Sequence, residues 1–217
     1  MAKSFLLIGK SGVGKSYSLN TVPENEYALI SVLGKELPFR TGKKYLTTDD
    51  YTAIKNAMLK YVSMGVKNII IDDAGYLLTN AFMKAQGSEK KGNLIFELYS
   101  QMATNFYELV RFSQTGLPDD VIVGIIMHED KNDFGDVKPK IMGRMLEEKV
   151  SVEGLFATVL HAMKTNNEYI FRTQTDGTGV TKSPYGMFDS ETIPNDMNLV
   201  FTKIREYYNI GGKNNEQ

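Results

Sequence analysis

The sequence predicts an α/β fold in which helices flank a mostly parallel central sheet and an antiparallel hairpin extends that sheet near the carboxyl end. Three observations support this prediction: short apolar runs typical of buried strands, helical spacing of apolar residues between them, and two late strands joined by a polar turn. Strands that alternate with helices are connected by right-handed crossovers and therefore run parallel. The chain of 217 residues is long enough for one such domain, which we expect to cover residues 1–210.

The predicted parallel strands are unbroken apolar runs, as expected when a sheet is covered on both faces. They cover residues 5–8, 27–32, 68–71 and 121–127. Two further strands, 157–162 and 169–173, flank the polar turn 164–168 and form the predicted hairpin.

Helices are predicted where apolar residues recur at three- and four-residue spacing. One begins near Thr48, with two aspartates suited to its N-terminus, and ends at Gly65. The others cover residues 14–21, 93–115 and 196–208. We expect a loop at residues 34–39 and a flexible polar tail at residues 211–217.

The composition excludes several classes of site. Lysine and arginine number 25 against 26 acidic residues, so any contact with nucleic acid must be local. The chain has no cysteine, which excludes disulfides and thiolate chemistry and fits a reducing cytoplasm. The apolar run at the N-terminus is too short for a signal peptide or a membrane span. These features predict a cytoplasmic protein without a membrane partner.

A glycine-rich loop, residues 9–16, carries the strongest motif. Its sequence Gly-Lys-Ser-Gly-Val-Gly-Lys-Ser matches the P-loop (Walker A) pattern at every fixed position, after a predicted strand and before a predicted helix. Glycines let successive amide N–H groups surround phosphates, Lys15 neutralises phosphate charge, and the Ser16 hydroxyl binds Mg²⁺. We therefore expect ATP and Mg²⁺ to bind here. The alternative is a glycine-rich turn with a surface lysine. The predicted nucleotide-binding residues are Gly9, Lys10, Ser11, Gly12, Val13, Gly14, Lys15, Ser16 and Tyr17.

Two aspartates follow the strand at residues 68–71, which resembles a Walker B strand. Ligands of open parallel sheets lie at the carboxyl ends of the strands, so Asp72 is expected to meet the glycine-rich loop there and to bind Mg²⁺. Asp73 is then placed to polarise an attacking water, and a cap on the next turn is the alternative.

His128 follows the strand at residues 121–127 and is expected at the same edge of the sheet, where it would sense the terminal phosphate of the nucleotide. The alternative is a strand-terminal histidine that faces solvent or bonds the backbone.

Taken together, these residues resemble phage-encoded RecA-like ATP-binding proteins, the group that includes single-strand-annealing recombinases. The resemblance covers most of the chain. It is carried by the glycine-rich loop, the strand that ends at Asp72, His128 with Glu129, and the segments 141–149, 154–156, 175–177 and 181–184.

The resemblance implies an ATPase that acts on single-stranded DNA in phage recombination or replication, in the host cytoplasm. It also implies side-by-side homo-oligomers with the nucleotide near the subunit interface, and single-strand-binding or replication proteins as partners. Lys182, in a glycine-rich segment after the predicted hairpin, is the candidate for a mobile lysine that reaches a neighbour's nucleotide; a solvated loop lysine is the alternative. RecA-like cores have a catalytic glutamate just after the second strand, whereas here residues 31–34 precede Glu36. The general base is thus left open.

Single-stranded DNA requires basic side chains with stacking aromatics. Two basic clusters are candidates, and solvated surface charge is the alternative for both. The first contains Lys138, Lys140, Arg144 and Lys149 near Phe134, and the second contains Lys84, Lys90 and Lys91.

Three functions remain open on the sequence alone: a DNA-dependent ATPase, a phosphotransferase acting on a small acceptor, and a nucleotide-gated scaffold or loader with little turnover. Phosphotransferases of this type carry an arginine-rich lid, and scattered arginines count against that alternative. The arginines are Arg40, Arg111, Arg144, Arg172 and Arg205.

Overall fold

A computed structural model describes residues 1–86, 93–142 and 150–211 of the chain. Within these ranges the strands are β1 (Lys3–Gly9), β2 (Tyr27–Ser31), β3 (Leu46–Thr47), β4 (Asn68–Asp72), β5 (Ile122–Lys131), β6 (Val137–Pro139), β7 (Thr158–Thr165), β8 (Glu168–Arg172) and β9 (Thr192–Pro194). The α-helices are α1 (Tyr51–Ser63), α2 (Tyr76–Gln86), α3 (Asn93–Thr115) and α4 (Met197–Tyr207). Short 3₁₀ helices cover Tyr17–Thr21 and Val152–Leu155.

One sheet joins these strands in the order β3-β2-β4-β5-β1-β7-β8-β9, with β6 paired to the far end of β5. Along this order, each neighbouring pair between β3 and β7 is parallel. The pairs β7–β8 and β8–β9 are antiparallel. The prediction of an α/β fold with a mostly parallel sheet, flanking helices and an antiparallel hairpin is therefore confirmed.

Alternating side chains of the central strands supply two apolar layers, one on each face of the sheet. In β1, Leu6 and Ile8 belong to the layer covered by α1, α2 and α3, whereas Phe5 and Leu7 belong to the layer covered by α4. All four side chains are fully buried. This explains why the central strands are continuous apolar runs rather than alternating ones.

The helix predicted at residues 14–21 is instead a 3₁₀ helix of five residues, preceded by turns. The Ser18 hydroxyl bonds the Lys15 carbonyl, and the Thr21 hydroxyl bonds the Ser18 carbonyl, so side chains compete for the groups that would build an α-helix. Pro23 also favours extended backbone at Val22, which has φ −95° and ψ 129°. The loop is therefore not followed by an α-helix with an appreciable dipole.

Several elements differ from the predicted boundaries. The β7–β8 turn narrows to Asn166 and Asn167, whose φ angles of 50° and 65° suit a tight hairpin, so β7 extends further than predicted and β8 begins and ends one residue earlier. Strand β5 runs past His128 to Lys131 because β6 pairs with its end. Helix α2 and strands β3, β6 and β9 were not predicted. The predicted tail falls, apart from its first residue, outside the described residues.

None of the helices in the described ranges is both long enough and apolar enough to cross a membrane.

Candidate functional site

The carboxyl ends of β1, β4 and β5 meet at one edge of the sheet. Gly9, the last residue of β1, is in register with His128 of β5, and Ser31 of β2 is in register with Asp72 of β4. Because these strands are parallel, the glycine-rich loop after β1 and the acidic residues at the end of β4 lie on the same side of the molecule. The predicted site residues of these three strands are thus brought together.

Glycine is required at two positions of the glycine-rich loop. A Cβ atom at Gly9 would lie 2.6 Å from the Ala162 carbonyl oxygen of β7, which leaves no room for a side chain. Gly14 has φ +90°, and a Cβ atom there would lie 3.0 Å from the Asn195 amide group. The loop is therefore held tightly between β7 and the segment that precedes α4.

Lys15 is buried beneath this loop. Its ammonium group donates hydrogen bonds to the carbonyl oxygens of Gly9, at 2.8 Å, and Lys10, at 2.6 Å. Burial lowers the pKa of Lys15, and the nearby carboxylates, Asp72 foremost, oppose that shift. A positive charge held among backbone carbonyls is available to an anion that enters the loop.

Ser16 and Asp72 are in direct contact. The Ser16 hydroxyl donates to Asp72 Oδ2 at 2.8 Å, and the Asp73 amide donates to Asp72 Oδ1 at 3.0 Å. Asp72 is buried, and burial, together with the charge of Asp73, raises its pKa to about 6. A hydroxyl and a carboxylate side by side are hard oxygen ligands that fit Mg²⁺.

These two oxygen donors do not form a complete metal site by themselves. No group of three or more histidine, cysteine or acidic side chains in the described part of the chain could hold a metal ion. Mg²⁺ characteristically takes one or two protein ligands and completes its shell with water and phosphate oxygens. The donor set at Ser16 and Asp72 therefore fits a metal that binds together with a phosphorylated ligand.

Asp73 lies between two nitrogen groups. Its Oδ2 is 2.7 Å from Lys35 Nζ, and its Oδ1 is 3.4 Å from His128 Nε2. Burial alone would lower the pKa of Lys35, but the hydrogen bond and charge of Asp73 outweigh it and the pKa is raised. Burial, and next the charge of Lys15, lowers the pKa of His128, which favours the neutral form of its ring. We call Lys35, Asp73 and His128 the Asp73 cluster.

The backbone of Asp73 is left-handed, with φ 60°, a conformation that costs a non-glycine residue about 1 kcal/mol. The Tyr76 amide that follows is bonded by the Asp73 carbonyl and not by its carboxylate. The carboxylate is therefore directed to Lys35 and the cavity rather than to the next turn.

A cavity of about 340 Å³ opens between the glycine-rich loop and the Asp73 cluster. This volume falls at the lower end of the range for small-molecule sites. The cavity is lined by residues of the glycine-rich loop, of the segment after β2 and of the strand ends: Ser11, Gly12, Gly14, Lys15, Ser16, Tyr17, Lys35, Glu36, Pro38, Asp72, Asp73, His128 and Tyr169. A second cavity of about 740 Å³ adjoins it and shares Ser11, Lys35 and His128.

Lys182 lies elsewhere. Its amide and carbonyl bond the carbonyl and amide of Val159 in β7, at 3.0 and 2.8 Å, and its side chain is half-buried. The backbone at Lys182 is therefore held by β7, and only its side chain extends from this bridge. Lys182 does not line the 340 Å³ cavity of its own chain, and its role toward a neighbouring subunit stays a prediction.

The structure places the described lysines of the two predicted basic clusters in different surroundings. Lys140 lines the larger cavity, whereas Lys84 is paired with Asp49 at 2.7 Å. Lys90, Lys91, Arg144 and Lys149 lie outside the described residues, as does most of the segment 141–149.

Two features of this edge were missed from the sequence. Lys35 lies in a predicted loop, where only the pairing of β2 with β4 brings it to Asp73. Glu129 bonds His161 of β7 at 2.6 Å, and both side chains are nearly buried. The polar residues at the end of an apolar strand were the available signal for Glu129, but its partner is fixed only by the pairing of β1 with both β5 and β7.

The sequence matches no protein-family model, and no curated protein is significantly similar to it. Function is therefore inferred from the residues at this edge of the sheet.

Proposed function

We propose that the chain is a RecA-like P-loop protein that binds ATP with Mg²⁺ at the glycine-rich loop and hydrolyses it. The observation that carries this proposal is the 2.8 Å contact between Ser16 Oγ and Asp72 Oδ2, beside the buried ammonium of Lys15. A motif hydroxyl and a strand-end carboxylate, 56 positions apart in the chain, meet where a nucleotide-bound metal would need both.

In this proposal the amides of the glycine-rich loop bind the phosphates and Lys15 exchanges its carbonyl partners for phosphate oxygens. Ser16 and Asp72 hold the metal, which when bound neutralises phosphate charge. Because the 3₁₀ helix after the loop is short, amide N–H groups and Lys15, and not a helix dipole, supply most of the attraction for phosphate.

Hydrolysis requires a group that takes a proton from water. The water oxygen forms a bond to the γ-phosphorus, the bond from that phosphorus to the bridging oxygen of ADP breaks, and a water proton passes to a carboxylate. Asp73 is the candidate carboxylate, since it lines the cavity next to Asp72. Neutral His128, 3.4 Å from Asp73, is placed to orient it.

The DNA part of the proposal comes from the resemblance to phage RecA-like proteins. We propose that single-stranded DNA regulates the ATPase in recombination or replication, and that subunits assemble side by side so that Lys182 approaches a neighbour's nucleotide. Lys140, on the wall of the larger cavity, supports a local cationic contact close to the nucleotide.

A second candidate function is a nucleotide-gated scaffold with little turnover. It is favoured by one observation, the ion pair of Lys35 with Asp73, which occupies the candidate base. A phosphotransferase is less well supported, because no arginine is among the described residues that line the cavity at the loop.

The test compares the natural chain with Lys15→Ala and with Lys44→Ala, which removes an exposed lysine outside the cavity. ATP binding and hydrolysis are measured with and without single-stranded DNA, at low and moderate salt. We expect Lys15→Ala to abolish nucleotide binding and Lys44→Ala to leave it unchanged. Stimulation by DNA supports the ATPase, whereas binding without turnover supports the scaffold. Unchanged affinity for ATP in Lys15→Ala would show that the site is wrongly assigned.

A further inference from the structure

Lys35 is the one lysine shared by the two adjoining cavities that the described residues form at the site. It lies across from the glycine-rich loop, in the segment after β2, whereas Lys15 lies beneath that loop. Its side chain is 57% exposed although its partner Asp73 is only 9% exposed. Lys35 is therefore the accessible partner of this ion pair, and the Asp73 carboxylate is the buried one.

The backbone next to Lys35 is anchored. The Gly34 amide donates to the Ser31 hydroxyl at 3.0 Å, and Ser31 ends β2. A movement of the Lys35 ammonium between two anions therefore requires only side-chain rotation. Rotation of an exposed lysine is fast and needs no rearrangement of the sheet.

The pair of Lys35 with Asp73 is of the kind that exchanges readily, because a half-exposed lysine gains little from a single carboxylate. A terminal phosphate carries more negative charge than one carboxylate and offers three acceptor oxygens. A triphosphate bound by Lys15 and Ser16 would bring that group into the same cavity. A diphosphate would not, since it ends one phosphate earlier.

We propose that Lys35 reads the terminal phosphate: it pairs with Asp73 in the absence of nucleotide and transfers to the γ-phosphate of a bound nucleoside triphosphate. The inference rests on the proposed function and adds how the site distinguishes ATP from ADP. It also accounts for the availability of Asp73, whose carboxylate is released for a water only when a triphosphate is present. In both the ATPase and the scaffold, the Lys35–Asp73 ion pair would then respond to the presence of a triphosphate.

The first experiment measures binding of a non-hydrolysable ATP analogue and of ADP, each with Mg²⁺, by titration calorimetry. We expect Lys35→Met to lose about tenfold in affinity for the triphosphate and to change less than about twofold for ADP. Lys44→Met is the matched control, because it removes an exposed lysine of the same segment and makes the same change in net charge. It should keep the preference of the natural chain for triphosphate.

The second experiment removes the competing carboxylate. Asn tolerates the left-handed backbone of residue 73, so Asp73→Asn is expected to fold. It should raise triphosphate affinity severalfold in the natural background, because Lys35 no longer has to leave a partner. In the Lys35→Met background the gain should vanish.

Three outcomes would overturn the inference. An equal gain from Asp73→Asn in both backgrounds would mean simple relief of repulsion between Asp73 and phosphate. A Lys35→Met chain that prefers triphosphate as strongly as Lys44→Met does would show that Lys35 is not the reader, with the proposed function intact. Failure of the natural chain to bind either nucleotide would refute the proposed function and this inference together.

Discussion

At the scale of single residues, Asp72 shows how the site combines opposing requirements. In the proposed metal site Asp72 must be ionised, but burial, together with the charge of Asp73, disfavours its charge and raises its pKa to about 6. The hydrogen bonds from Ser16 and the Asp73 amide, and the charge of Lys15, lower that pKa only in part. Nucleotide binding with metal should therefore depend on pH just below neutrality.

The effect of Asp72 on the pH dependence of folding stability follows from proton linkage. The pKa of Asp72 in the folded chain lies above its value in an unfolded chain, so between about pH 4 and pH 6 the folded state binds more protons and this contribution to stability falls as pH rises. Metal binding has the opposite trend, because it requires the ionised form. We expect Mg²⁺-dependent ATP affinity to be about tenfold lower at pH 5 than at pH 7.

Calorimetric titrations from pH 5 to pH 8 would measure this dependence. Asp72→Asn is the control, since protonation of the nucleotide itself is common to both chains and cancels in the comparison. The Asn chain should bind weakly with a flatter profile. Identical profiles for the two chains would assign the dependence to ATP and remove Asp72 from the metal site.

At the scale of elements, Gly124 of β5 is the point where side chains of the two neighbouring strands pack against each other. A Cβ atom there would lie 2.5 Å from both Ile70 of β4 and Phe5 of β1, in the apolar layer covered by α4. Both neighbours are fully buried, so neither side chain has free space to move into. The absence of a side chain at Gly124 is thus what lets three neighbouring strands share one packed layer.

Gly124→Ala should therefore destabilise the domain by about 1–3 kcal/mol, because overpacking of a close-packed core exceeds the small gain from replacing glycine in a strand. Urea denaturation would measure the change as a lower midpoint. Gly42→Ala is the matched control: its Cβ would meet nothing within 4 Å, and it should stay within about 0.5 kcal/mol of the natural chain. Equal midpoints for both variants would show that the β4–β5–β1 layer is more loosely packed than described.

At the scale of the whole molecule, the site is assembled from distant parts of the chain by the order of the strands. The glycine-rich loop follows β1, Lys35 follows β2, the acidic pair ends β4 and His128 lies on β5. A ligand that contacts all of these contacts the ends of four adjacent strands, β2, β4, β5 and β1. Its binding should consequently stabilise the fold as a unit.

Under the proposed function, Mg²⁺ with ATP at about a hundred times its dissociation constant should contribute about 2.7 kcal/mol to the free energy of unfolding. For a domain of this size that corresponds to a rise in Tm of about 5–10 °C. Thermal unfolding with and without EDTA would measure it, and we expect EDTA to remove much of the shift. In Ser16→Ala, which lacks the hydroxyl that contacts Asp72, the shift with Mg²⁺ should fall to the EDTA value. A full Mg²⁺-dependent shift in that variant would contradict a metal held at Ser16.

The features that depend on local chemistry are predictable from the order of the residues. Apolar runs identified four central strands, helical spacing identified α3 with its observed bounds, and the polar segment 164–168 identified the hairpin, although the turn itself is confined to Asn166 and Asn167. The fixed spacing of the glycine-rich loop and the acidic end of β4 predicted which residues would meet, and Ser16 does contact Asp72. The helix after the loop was predicted wrongly because serine and threonine hydroxyls near Pro23 compete with helical hydrogen bonds.

The partners of the charged groups, in contrast, follow from how the strands pair in three dimensions. Nothing local to Lys35 indicates Asp73, and nothing local to Glu129 indicates His161, since each pair joins segments brought together by parallel strand order. The same holds for Lys182, whose backbone is held by β7, and for the short strands β3, β6 and β9, which pair with β2, β5 and β8. The residue type determines which interactions a side chain can make. Which partner it meets depends on long-range strand pairing, because the energy between two charges depends on their distance in the folded chain.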